Sequence, residues 1–143
     1  MTTSLESLTA IGATLSTAAR HRAKMSNVAK TIDLSVPPSG AGCAECDRAG
    51  GWWFHLRRCA ACGHIGCCDD SLARHASAHW RSAGHPVIQS FEPGESWFWN
   101  YETNDYIDGP DLAPPTSHPA DQTVPGPRDR VPGNWIELLQ NRG

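Results

Sequence analysis

The sequence predicts a small metal-clamped domain made of a few antiparallel strands and one main helix, and three observations predict it. All six cysteines and five of the seven histidines of the 143-residue chain lie between Cys43 and His85, among them two C-x-x-C pairs, an adjacent Cys67-Cys68, an H-x-x-x-H pair and a final His85. Thiolate sulfur and imidazole nitrogen are the ligands Zn²⁺ prefers, so the cofactor this pattern calls for is zinc. Short aromatic or β-branched stretches flank a single helical stretch, and Gly/Pro clusters punctuate them.

Leu5, Leu8, Ile11 and Leu15 recur at helical spacing, with Ser4, Glu6 and Ser7 as capping chemistry, so residues 1–24 read as a helical extension. Its apolar stripe is narrow and Gly12 interrupts it, which suits an extension more than a partner-binding helix. Arg20, Arg22 and Lys24 lend a trace of transit-peptide character to an otherwise ordinary segment. The stretch from Pro37 to Gly42 is turn chemistry leading into the first cysteine pair, and Trp52 to Leu56 reads as a strand. Asp69, Asp70 and Ser71 offer capping oxygens for a helix over residues 72–83, which Gly84 ends and Pro86 cannot continue. Val87, Ile88 and Phe91 begin an extended segment, Glu92 to Glu95 a turn, and Trp97 to Tyr101 a second strand, antiparallel to the first. Beyond Tyr106 seven prolines argue against regular structure, leaving residues 107–143 as a tail. Its apolar end, Trp135, Ile136, Leu138 and Leu139, would dock back on the domain or engage a partner. The central domain is thus expected over residues 25–106.

A formal net charge of −3 lacks the basic footprint of a nucleic-acid binder, and Arg57, Arg58, Arg74 and Arg81 read as a solvated face. No stretch of eighteen apolar residues exists to span a membrane. Cysteines clustered beside histidines, without a signal-peptide segment, favour reduced thiols over disulfides and a cytoplasmic home.

Cys43, Cys46, Cys59, Cys62, Cys67, His75, His79 and His85 make eight ligands, enough to close two tetrahedral sites with no position left for water. That disfavours metal-assisted hydrolysis, and no nucleophile–base arrangement stands apart from the metal set. Spacing leaves both a sequential and an interleaved pairing open. His55 and His64 are surplus to two tetrahedra. Cys68 is a spare thiol, either a buried spacer or a redox-sensitive group beside a zinc ligand.

The run from Gly42 to Tyr101, with C-A-E-C, L-R-R-C-A-A-C-G-H-I-G-C, R-H-A-x-A-H, G-H-P-V-I and S-F-E-P-G-E-S-W, resembles the UBP-type zinc finger of ubiquitin-specific proteases, a histone deacetylase and small free-standing bacterial proteins. The resemblance implies an α+β fold with the H-x-x-x-H helix packed on a small antiparallel sheet. It also implies the interleaved pairing, with Cys43, Cys46, Cys67 and His75 on one zinc and Cys59, Cys62, His79 and His85 on the other. Ser26-Asn27-Val28 and Asn100-Tyr101 stand where some members carry a third site, so two zinc ions are expected. Ubiquitin-binding relatives hold a free C-terminal carboxylate with an arginine shortly after the cysteine matching Cys67. Here Asp69 stands in that place, which makes ubiquitin a doubtful partner. The function expected is non-catalytic recognition of a protein or peptide tail against Trp53, Asp69, Trp97, Trp99 and Tyr101. The bland alternative is that these aromatics only cover a small core, in a purely structural or regulatory zinc protein, and exposure separates the two.

Overall fold

A computed structural model describes residues 31–142, so the helix expected over 1–24 and the Ser26–Val28 stretch lie outside the described residues. The elements are α1 (Ala44–Ala49), β1 (Leu56–Cys59), β2 (Ile65–Cys67), α2 (His75–Ala83), β3 (Val87–Ser90), β4 (Phe98–Asn100), β5 (Asp105–Ile107) and α3 (Trp135–Gln140). The five strands form one antiparallel sheet in the order β2-β1-β3-β4-β5. This is the α+β architecture that the sequence predicts, a small sheet with the H-x-x-x-H helix against it.

The differences lie at element boundaries. The strand expected over 52–56 begins only at Leu56, because Trp53 exchanges both backbone hydrogen bonds with Gly126, far along the chain, instead of joining the sheet. The helix expected from Leu72 begins at His75. Arg74 before it is left-handed (φ 53°), and the His75 N–H points at Cys67 Sγ, 3.2 Å away, so a candidate metal ligand accepts the first helical donor. Asp69 accepts from the Ser77 hydroxyl at 2.6 Å, inside the first turn. Gly84 closes the helix as expected, left-handed at φ 75° with its N–H on the Trp80 carbonyl. Short α1, which starts after Cys43 and carries Cys46, and β5, across residue 106, are not among the elements the sequence predicts.

Nor is residues 107–142 devoid of regular structure, since α3 forms once the last proline, Pro132, is passed. Besides the Trp53–Gly126 pairing and the hydrogen bonds of Arg130 and Arg142, three ties hold this segment down. Trp135 packs edge-on against Trp52 (6.4 Å) and Phe54 (5.5 Å). Glu92, buried, accepts the Leu56 N–H at 3.0 Å, faces His55 Nδ1 at 2.9 Å and meets His118 Nε2 from the segment. Arg58 is the third.

Arg58 lies on a central strand with no exposed surface, and burial pulls its pKa below the usual arginine value. It has no carboxylate partner among the described residues; instead its guanidinium donates to the carbonyls of Ala113 (2.9 Å), Pro115 (2.8 Å) and Val36. A planar fork can serve three carbonyls at once where a point ammonium cannot. The core splits into two clusters. One combines Trp53, Leu56, Ile65 and Phe91 with Cys43, Cys46 and Cys67; the other holds Ala60, Val87, Phe98 and Leu112, flanked by Ile32 and Ile107.

Arg58→Met should lower folding stability by about 2–4 kcal/mol, since three carbonyls lose the buried guanidinium that bridges them, and Arg58→Lys should recover less than half of that. Urea melts of the metal-loaded protein, with zinc content matched, measure both.

Candidate metal centres and an aromatic hollow

Each ligand reaches its place for a local reason. Cys43 and Cys46 bracket the first turn of α1, Cys59 and Cys62 the turn after β1, and Cys67 ends β2. His75 and His79, four apart on α2, project from one face of the helix and supply one ligand to each set. Gly66 lets α2 settle on β2, because a Cβ there would stand 2.7 Å from the Ala76 backbone nitrogen. Gly63, between the second cysteine pair and β2, is left-handed (φ 80°), and a Cβ would collide with the Pro37 carbonyl.

The ligand atoms converge at two points. In the first, Cys43, Cys46, Cys67 and His75 place their donor atoms within 4.8 Å of one another, and His75 Nδ1 stands 3.2, 3.3 and 3.6 Å from the three sulfurs. In the second, Cys59, Cys62, His79 and His85 do the same, with Cys62 Sγ 3.3 Å from His79 Nε2 and Cys59 Sγ 3.6 Å from His85 Nδ1. Tetrahedral zinc with ordinary bond lengths sets sulfur and nitrogen ligands about 3.5 Å apart. Both sets therefore fit zinc, and the interleaved grouping is the one the geometry brings together.

The three thiols of the first set hold their protons unevenly. Hydrogen bonds from Cys46 and Cys67 pull Cys43 down to about 2, while the hydrogen bond to Cys43 pushes Cys46 far up and Cys67 up to about 12. One thiolate is tolerated there, and three need a dication. In the second set burial pushes Cys59 up to about 11, and burial, then the charges of His64 and His85, pull His79 down. A lowered imidazole pKa keeps His79 neutral, the form that binds metal.

The surplus histidines have other work. His64 stacks on His79 at 4.1 Å and 8°, and its Nε2 stands 2.6 and 2.7 Å from the two oxygens of Glu45. A carboxylate on α1, within the first ligand set, is thus linked through His64 to a ligand of the second. His55 belongs to the Glu92 cluster. Cys68 is 4% exposed, beside the Ser71 hydroxyl.

A hollow of about 240 Å³ opens on the β4–β5 side, walled by Trp97, Trp99, Tyr101 and Tyr106, with Arg57 and Ile88 at its base and Cys68, Asp69 and Asp70 along one rim. Of the five candidate recognition residues, Asp69, Trp97, Trp99 and Tyr101 meet here. Trp53 does not: it is 2% exposed in the core, with the Arg130 guanidinium 5.2 Å from its ring centre. Its neighbours are Cys43 and Cys46, and at that point the aromatic serves burial. Tyr106 is not singled out by the sequence, which reads Arg57 as part of a solvated face. Tyr106 is the cross-strand partner of Trp99, and an E-T-N-D turn between two aromatic stretches was the available hairpin signal. Burial, then the charge of Asp69, push the Tyr101 hydroxyl's pKa up.

Residues 43–112 match the family model described as a Zn-finger in ubiquitin-hydrolases and other protein. The solution NMR structure of protein RPA1320 from Rhodopseudomonas palustris is similar, with 42% identity and a TM-score of 0.50, covering 64% of this chain and 85% of that one. No curated protein matches.

The two sets differ in exposure. Cys43, Cys46 and Cys67 are buried, whereas Cys62 is exposed and His79 half-buried. Chelation of the zinc-loaded protein should release metal in two phases, the faster one from the second set. Cobalt-substituted protein followed by its thiolate-to-metal absorption separates the phases. His64→Ala should speed the first phase severalfold and leave the second within about twofold, because removing the stacked ring frees His79 to swing.

Proposed function

This chain belongs to the family of UBP-type zinc fingers, and on that premise we propose that it is a non-catalytic recognition module in which two structural zinc ions hold a surface that takes an extended protein or peptide tail. The observation that carries the reading is the open aromatic hollow. Trp97, Trp99 and Tyr101 are only half-buried and Tyr106 is 63% exposed, more than covering a core requires. Four protein ligands per metal leave no open coordination position, which favours structural over hydrolytic roles. Six free cysteines suit a reducing compartment such as the cytoplasm, and among the described residues no helix is long and apolar enough to cross a membrane. Ubiquitin stays a doubtful partner with Asp69 on the rim. Redox sensing through Cys68 asks for an accessible thiol, and this one is enclosed.

Selection from a displayed random-peptide library should yield a peptide whose affinity falls about tenfold or more in Trp97→Ala at unchanged zinc content. A library yielding no binder, or one whose affinity ignores Trp97 and Trp99, refutes the reading.

A further inference from the structure

The charge distribution around the hollow is lopsided in an informative way. Asp69 and Asp70 stand on one rim, and neither has an ion-pair partner among the described residues. One oxygen of Asp69 accepts the Ser77 hydroxyl at 2.6 Å, which orients the carboxylate without neutralising it. The segment ending in α3 approaches the same rim, yet Arg142 donates to the backbone carbonyls of Asp70 and Ser71 and forms no ion pair with either carboxylate.

The aromatic wall completes the picture. Arg57, the one cation lining the hollow among the described residues, lies with its guanidinium carbon 4.7 Å from the centre of the Trp97 ring and donates to the Leu56 carbonyl at 3.1 Å. Arg57 keeps its charge, and that stacking demonstrates what the wall attracts, since the face of an indole is negative. Trp99 and Tyr106 meet at 4.9 Å and 83°, and Trp97 and Tyr106 at 5.6 Å and 88°. Rings set at right angles make a corner that presents a face and an edge to one guest. An anion entering it would meet two unneutralised carboxylates, and a cation would meet those carboxylates beside the Trp99–Tyr106 corner.

We propose that the hollow takes the positively charged side chain of a lysine or arginine from an extended peptide, and so recognises basic segments and not a free C-terminal carboxylate. This rests on the recognition reading above and sharpens it to a chemical class. The volume, about 240 Å³, suits a single side-chain head. Arg57 then acts as a brake, a like charge that sets the upper limit of affinity, while Asp69 and Asp70 supply the attraction.

The test uses the full zinc-loaded chain and fluorescein-labelled nonapeptides on one Gly/Ser frame. Two central positions are varied among Lys, Arg, Glu and Ala with amidated ends, and a further peptide ends in a free Gly-Gly carboxylate. Binding is read by anisotropy and by the indole N–H signals of Trp97 and Trp99. The Lys and Arg peptides should bind at least about tenfold tighter than the Glu and Ala peptides and move both indole signals. Asp70→Asn should weaken them about three- to fivefold, Arg57→Gln should tighten them, and raising salt from 0.05 to 0.5 M should weaken them, as partly exposed charge pairs do. Tighter binding of the Glu or Gly-Gly peptide, weaker binding in Arg57→Gln, or binding that leaves both indoles unmoved overturns the cation assignment while the recognition reading stands. If none of these peptides binds and the peptide library also yields nothing, both fall.

Discussion

Everything in this fold depends on four sulfur and nitrogen donors meeting at one point, twice, from segments that are not neighbours in sequence. The first set joins the start of α1, the end of β2 and the start of α2; the second joins the turn after β1, the middle of α2 and the loop beyond it. The pairing is interleaved, so each set crosses the chain closed by the other, and α2 is the brace they share. A structural zinc contributes about 10–16 kcal/mol in finger peptides, comparable with or larger than the whole net stability of a small domain. With strands of three or four residues and one nine-residue helix, the sheet and helix alone could not supply that.

The groups around the ligands turn two clamps into one unit. The Cys67 sulfur accepts the first N–H of α2, so the atom placed to hold metal also sets where the helix begins. Gly66 allows the backbone of α2 to touch β2, and the Glu45–His64–His79 chain runs from α1 in the first set to the exposed face of the second. A distortion at either point moves α2, and through it the other. So short a helix is held at its first residue and again at its middle, on one face.

What the sequence disclosed and what it hid divide along a physical line. The eight ligands, the end of α2 at Gly84 and the extended run from Val87 were legible because each is a local signal, in spacing, turn chemistry or β-branching. Which cysteines share a metal was not legible in spacing and needed either a resemblance or the fold. Trp52 and Trp53 look like a strand, yet the hydrogen-bond partner of Trp53 is Gly126, and no periodicity reports a partner so distant. Arg58 reads as surface and lies fully buried, because the carbonyls that satisfy it belong to Val36, Ala113 and Pro115. The prolines rightly argued against a long helix or strand after residue 107, but they say nothing of whether an irregular segment is tied down. Here Trp135, His118 and Arg58 tie it.

The hollow inherits its shape from the same clamps. Asp69 is two residues past Cys67 and eight before Ser77, between a ligand of the first set and the helix that carries ligands of both, so its carboxylate is presented by a backbone with little freedom to retreat. The opposite wall is set by strand register: Trp99 lies across from Tyr106, and Ile88 across from Trp99, which brings the rings over one concavity. In a frame this constrained, the chemistry of the hollow is set by the side chains it carries. At Asp69 the charge offered is negative, on a connection held at one end by Cys67 and, through the Ser77 hydroxyl, at the other by α2.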